Sequence, residues 1–310
     1  MKKPSHLFIL ITSLITGICG CCASHSQPTA HRNECKVRPL LICAYEGADA
    51  AKNIQIQWSK TSPEPHTIFG EPAYSKHADE HNIVRRYSAF TIYYDDEILS
   101  PRWAAIKITK EIADKNKNIK RLPKFKVDKT LEEKGYEVAS HDDYKNPTGM
   151  KKWARGHMVQ FDDARGYGKK AAEESFYTTN ICPQLSALNG QGWLSLEKLC
   201  TEYARDYGVV WVYTGPIYEK TEPFAPNRKI PKPTAFYKVA VSPGEDGGVD
   251  VLAFIMPHEP IKSDVDLSRY LVSVDKVEEK TGLDFLRELP DEYENYLEEN
   301  IWELRPDIEN

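Results

Sequence analysis

No stretch of the 310-residue chain is apolar over the roughly 20 residues that a membrane-spanning helix needs; the longest, residues 7–18, falls well short. A permanent transmembrane span is therefore not expected. No G-x-S-x-G elbow occurs, and Gly166-Tyr167-Gly168-Lys169 lacks the full spacing of a phosphate loop, which excludes the common serine-hydrolase and nucleotide-binding patterns. No paired CxxC motifs or His-Cys clusters point to zinc. Internal repeats and low-complexity segments are absent. Positive charge is not in excess: 41 Lys and Arg stand against 46 Asp and Glu, for a net charge of −5. Taken alone, that balance argues against a nucleic-acid partner.

The average conceals an asymmetry. Residues 291–310 hold eight acids and one base, whereas residues 115–129 hold seven bases and one acid. The apolar share of 41% and charged share of 28% are those of a soluble globular protein with enough chain for a core. At the N-terminus, Lys2 and Lys3 precede the apolar run 7–18, and small residues and cysteines follow. This is the layout of a secretory signal peptide. Ile18-Cys19-Gly20-Cys21 resembles a bacterial lipobox with Cys21 as the lipidated residue. The expectation is an exported, membrane-anchored bacterial lipoprotein, or otherwise a periplasmic or secreted protein. Residues 1–20 are the signal peptide, 21–50 a polar tether and 51–310 a single domain. Export permits disulfides. Cys35 with Cys43 and Cys182 with Cys200 is the local pairing, and unpaired buried thiols are the alternative.

Residues 89–94 read as a strand from their aromatic and β-branched content, and 103–109 as its partner, with 99–101 as connector. Trp193, Leu196, Leu199, Cys200 and Tyr203 recur at three- and four-residue spacing, the stripe of an amphipathic helix that ends at Gly208. Residues 209–213, 236–241 and 251–256 read as further strands, and 272–281 as a helix stopped at Gly282. Strands and helices mix without βαβ alternation, so the fold class is α+β.

The chemistry lies in Trp153-Ala154-Arg155-Gly156-His157-Met158, then Asn180-Ile181-Cys182-Pro183-Gln184, Asn189 and Trp193-Leu194-Ser195-Leu196-Glu197. A histidine beside an arginine can take a proton from water while the guanidinium offsets negative charge. An asparagine oxygen is a neutral, hard ligand suited to magnesium, and a nearby carboxylate can hold the ion's waters. Each piece alone is commoner as a loop, a turn or a packing stripe.

Their order and spacing resemble the DNA/RNA non-specific endonuclease family, the ββα-metal (His-Me finger) nucleases of endonuclease G type. That pattern is a DRGH motif, an Asn-x-x-Pro-Gln segment, an asparagine nine residues after the first and a glutamate eight further on. Asn180, Asn189 and Glu197 have this spacing. Pro101-Arg102-Trp103-Ala104-Ala105, Tyr213-Thr214-Gly215-Pro216, the segment ending Ala235-Phe236-Tyr237-Lys238, Phe254-Ile255-Met256-Pro257 and Thr281-Gly282-Leu283-Asp284-Phe285 continue the likeness in order.

The resemblance implies a central antiparallel sheet with packed helices and a ββα-metal finger. It implies a Mg2+-dependent endonuclease acting on DNA and RNA through the phosphate backbone, with Mn2+ able to substitute. His157 is then the general base, Asn189 the metal ligand, Arg155 a stabiliser of charge on phosphorus, Glu197 the holder of the metal's waters and Asn180 a steadying residue. Arg121 is the candidate for the upstream arginine, which the family places before an aromatic and an aspartate (here Phe125 and Asp128). It stands four residues before Phe125 where two are expected, with Lys120 and Lys124 as substitutes. The family's ends are a 5′-phosphate and a 3′-hydroxyl, and dimers occur in it; an inhibitor protein is a further partner class that one chain cannot reveal. Two departures stand out. Ala154 replaces the motif aspartate, and Gln160 replaces a common proline. Ala154 motivates an alternative, a weakened enzyme retained to bind nucleic acid. The 115–129 segment becomes a phosphate-tracking surface, and the acidic tail is expected to face solvent.

Overall fold

Along residues 103–108 side chains alternate between the two faces of a strand, and the core is divided accordingly. Trp103 and Ala105 belong to one buried cluster, Ala104, Ile106 and Ile108 to the other. The period of two makes this partition automatic. The strand is an inner one of a seven-stranded sheet in a computed structural model that describes residues 42–43, 55–56, 66–74, 81–147, 152–244 and 248–305. All of these belong to one unit, Pro39–Asn310. The signal peptide, most of the tether and the Cys35–Cys43 pairing lie outside the described residues.

The first strands are β1 (Ile42–Cys43) and β2 (Gln55–Ile56), paired with each other, and β3 (Ala73–Tyr74). The large sheet holds β4 (Asn82–Arg86), β5 (Thr91–Asp95), β6 (Ser100–Thr109), β9 (Val209–Ile217), β10 (Ala235–Pro243), β11 (Val249–Pro257) and β12 (Leu271–Val272). Its order is β12-β11-β10-β9-β6-β5-β4, antiparallel throughout. A separate ribbon pairs β7 (Trp153–His157) with β8 (Ile181–Leu185), and β13 (Leu283–Asp284) pairs with β3. The helices are α1 (Lys110–Asp114), α2 (Lys129–Glu132), α3 (Phe161–Ala164), α4 (Lys169–Glu174), α5 (Trp193–Tyr207), α6 (Val274–Thr281) and α7 (Asp291–Glu299).

Helix α5 buries Trp193, Leu196, Leu199, Cys200 and Tyr203, the stripe read from the sequence, against one face of the sheet. Helices α6 and α7 bury Val274, Val277 and Leu297 on the opposite face, with Trp103, Trp211 and Tyr213 of the sheet. The expected central antiparallel sheet with packed helices is therefore present, one helical layer on each side. Helix α6 stops where expected, at Gly282 in the left-handed conformation (φ 73°), whose N–H bonds to the Glu278 carbonyl.

Two expectations need correction, and one open alternative is decided. Pro101 lies inside β6 rather than in the connector. It is tolerated because it sits near the strand's start, beside a register shift at Tyr93/Tyr94. Cys182 and Cys200 form no disulfide: both are free, buried thiols. Cys182 lies 2.8 Å from the Ser100 hydroxyl and Cys200 faces the core from α5. The acidic tail does not simply face water. Leu297 and Glu298 are buried, Trp302 Nε1 donates to the Leu297 carbonyl at 3.0 Å, and Arg305 pairs with Asp250.

Candidate active site

Strand β7 carries Arg155, Gly156 and His157, and its partner β8 carries the Cys182-Pro183-Gln184 segment, with His157 opposite Ile181. Chain leaving β8 passes through a π-helical turn, Leu188–Gly192, into α5. Two antiparallel strands followed by a helix make up the expected finger. Its inner joint is Asn180, whose side chain is wholly buried. Its Oδ1 accepts the Val159 N–H at 2.9 Å, and its Nδ2 donates to the Val159 and Ser175 carbonyls at 2.9 and 3.0 Å. The amide thus holds the backbone two residues beyond His157.

His157 ends β7 between two aromatic rings, Phe125 and Phe176, each 5.2 Å away between centroids. It is only 7% exposed, and its Nε2 is buried with no hydrogen-bond partner. Burial, helped by the charge of Arg121, pushes the imidazole pKa down to about 3. At neutral pH the ring is uncharged, so a nitrogen lone pair is available as a proton acceptor.

Two guanidinium groups stand against the aromatic rings that hold His157. Arg121 is exposed at its backbone loop, yet its Cζ stands 5.0 Å from the Phe161 ring and 5.5 Å from Phe176, the ring that also touches His157. Arg155 donates from Nη2 to the His141 carbonyl at 3.1 Å and lies 5.8 Å over Phe125; its Nε is buried without a partner. Desolvation lowers its pKa. Orphaned donors on a cation beside an orphaned imidazole nitrogen are groups prepared for an anion.

Glu197 sits buried on α5, and burial pushes its pKa up to about 7, with Lys238 opposing the rise and Asp163 adding to it. Asp163 is likewise raised by burial, to about 6. It accepts from Gln160 Nε2 at 2.6 Å and Thr201 Oγ1 at 3.3 Å. Gln160, where proline is common, thus has a structural use. Lys238, 4% exposed, donates to Thr214 Oγ1 at 2.9 Å and stacks 4.8 Å over Trp193, a buried cation balancing two buried acids. Asp163 was invisible in the sequence, since Asp162-Asp163 at a helix start reads as an ordinary solvated pair. The Phe125, Phe161 and Phe176 wall was invisible too, because its members are far apart in the chain.

Asn189 lies in the π-helical turn, partly exposed. Its Nδ2 donates to Gln184 Oε1 at 2.6 Å, which leaves Oδ1 as the acceptor. Gln184 in turn packs on Gly156. A Cβ added there would fall 2.5 Å from Gln184 Oε1 and 2.8 Å from its Cβ, so only glycine fits between Arg155 and His157. Among the described residues no hydrogen bond joins Asn189 directly to His157 or Glu197; the link runs through Gln184 and Gly156. The donor set fits a hard divalent cation: an amide oxygen from Asn189 and a carboxylate from Glu197, with no thiolate. Burial holds both nearby thiols, Cys182 and Cys200, protonated by raising them to about 12. A cleft of about 720 Å3 on the far flank of α5, lined by Ser195, Lys198, Glu202, Asp264 and Asp266, contains none of these groups.

A family model described as DNA/RNA non-specific endonuclease matches residues 70–292. The chain belongs to this family. It is accordingly a nuclease, an enzyme that hydrolyses phosphodiesters. The "Mitochondrial nuclease" of Saccharomyces cerevisiae is 28% identical over 256 residues, covering 77% of this chain and 74% of that one. Human "Endonuclease G, mitochondrial" is 26% identical over 214 residues, covering 66% and 69%. Among solved structures, a chain from the EndoG/EndoGI complex superposes with a TM-score of 0.59 at 25% identity, covering 74% of this chain and 95% of that one.

Proposed function

We propose that this endonuclease is Mg2+-dependent, cuts DNA and RNA without regard to sugar, and uses His157 as general base. The observation that carries the reading is the buried, neutral, unpartnered Nε2 of His157, in a pocket of Phe125 and Phe176 on which Arg155 and Arg121 respectively stand. Water attacks phosphorus as His157 takes its proton. Arg155 and Arg121 offset the charge added to the phosphoryl oxygens. The bond between phosphorus and the 3′-oxygen breaks and that oxygen takes a proton from solvent water, leaving a 5′-phosphate and a 3′-hydroxyl. Asn189 would hold Mg2+ (or Mn2+) with Glu197 on its waters, and the ion would supply further charge neutralisation at the phosphate. Lys115, Lys117, Lys120, Arg121 and Lys124 precede Phe125 and Lys126 and Lys129 follow it, all of them exposed. Such contacts bind backbone and carry no sequence information. Digestion of plasmid and total RNA, with Mg2+ and with chelator, tests the reading. Loss of both substrates only with the metal is expected, and metal-independent or absent cleavage would refute it.

A second reading, weakened catalysis with retained binding, is favoured by one observation, Ala154 in place of aspartate. In the ribbon Ala154 is paired with Gln184, whose Nε2 is buried without an acceptor. A carboxylate at 154 would share that face and could accept from it. Ala154→Asp is therefore expected to leave kcat unchanged or to raise it by up to about ten-fold. A large slowdown in single-turnover kinetics would show that the site is built around alanine.

The pH dependence follows from which group must ionise. Glu197 must be a carboxylate to hold metal-bound water, and its pKa is raised to about 7. His157, at about 3, is already neutral there. The kcat/KM profile should therefore climb through about pH 7 and flatten above it. An acid limb confined to about pH 4 would mean that Glu197 does no work.

Export rests on Lys2, Lys3 and the 7–18 run, and lipid attachment on Cys21. We propose both. Incorporation of labelled palmitate that disappears in Cys21→Ser is the expected result, and label retained in that variant would reassign the anchor.

A further inference from the structure

On the sheet face opposite His157, helices α6 and α7 bring three carboxylates together. One oxygen each from Asp275, Glu278 and Glu298 lies within 4.8 Å of the others. Asp275 is exposed, Glu278 half-buried and Glu298 only 5% exposed. Crowding of acids alone is common at helix surfaces. Glu298 is different: Oε1 is buried and receives no hydrogen bond. Glu278 spends Oε1 on the Phe285 N–H at 2.7 Å and has its second oxygen to spare. The lysines of α6 are engaged elsewhere, Lys276 with Glu279 at 2.6 Å and Lys280 with Glu219 at 2.9 Å. The further charged groups acting on the cluster are Asp284 and Glu294, both negative, while Arg287 acts on Glu294. A buried carboxylate without a donor, facing two more carboxylates and, among the described residues, no free cation, requires either a proton or a metal ion.

We propose that Asp275, Glu278 and Glu298 form a structural site for a Ca2+-class cation that fastens α7 to α6. The donors are all hard oxygens from flexible carboxylates, which suits calcium's irregular shell of six to eight oxygens, completed by water, better than magnesium's strict octahedron. The site is separate from the nuclease centre, and Glu298 lies beyond residue 292, where the family match ends.

The test uses the Asn189→Ala chain, so that an ion at the nuclease centre does not contribute. About 10 mM Ca2+ at pH 8 is expected to raise Tm by roughly 3–6 °C. Adding Glu298→Gln should abolish the rise. Its own ion-free Tm should equal or exceed the parent's at pH 8, because glutamine removes a buried carboxylate that has no donor and faces two other acids, and this shows that the variant folds. Asp275→Asn, at an exposed position, should raise the Ca2+ midpoint by at least ten-fold. No rise in the parent chain would mean that Glu298 holds only its proton and would overturn the proposal. A rise that survives Glu298→Gln would overturn it equally.

Discussion

Replacing His157 by alanine is expected to lower kcat by about 10²–10⁴-fold with the fold intact. The ring makes no hydrogen bond through Nε2 and contributes mainly packing between Phe125 and Phe176. Its removal should cost stability only about 1–3 kcal/mol. Substrate affinity should change little, because Arg155, Arg121 and the exposed lysines remain. The check is paired: single-turnover cleavage with saturating Mg2+, and circular dichroism with a denaturant midpoint. Partial recovery with added imidazole would show that a base, rather than a shape, had been lost. Cleavage at the wild-type rate would remove His157 as the proton acceptor.

Asn180→Ala should act on stability first, lowering it by about 3 kcal/mol. The amide satisfies three backbone groups, the Val159 N–H and carbonyl and the Ser175 carbonyl, all in a buried setting. Each polar group left unsatisfied in the interior costs about 1–3 kcal/mol, less whatever water can enter the space. The loss should appear as a lower urea midpoint with an unchanged slope. Because Val159 lies two residues beyond His157, kcat should fall as well, even in the fraction that remains folded. A midpoint within about 0.5 kcal/mol of wild type would show that water replaces the side chain and that Asn180 is not the joint of the finger.

Much of the architecture was legible because its signals are local. The stripe from Trp193 to Tyr203 has the period of a helix, and Gly282 ends α6 through a left-handed residue that a side chain would disfavour. The runs at 209–213, 236–241 and 251–256 are strands whose two faces are both covered, α5 on one side and α6 with α7 on the other. Where the reading erred or stayed open, distant neighbours decided. Pro101 enters β6 because a register shift in β5 receives it. Cys182 and Cys200 remain thiols because one meets Ser100 and the other faces the core. The tail packs because Leu297, Trp302 and Arg305 find partners that no composition count reveals.

The candidate site divides along the same line. By itself the sequence determined the candidates and their order: Arg155, His157, Asn180, Asn189 and Glu197 keep the spacing of a strand, a return strand and a helix, and backbone geometry turns spacing into position. It also determined that position 156 holds the one residue without a Cβ. The tertiary structure alone decided the environment of these groups. It buried His157 between Phe125 and Phe176 and so made it neutral. It laid Arg121 along the same wall, set Lys238 against Asp163 and Glu197, and placed Glu298 beside Asp275 and Glu278. A pKa depends on solvent exclusion and on charges a few ångströms away, and residues remote in the chain supply both.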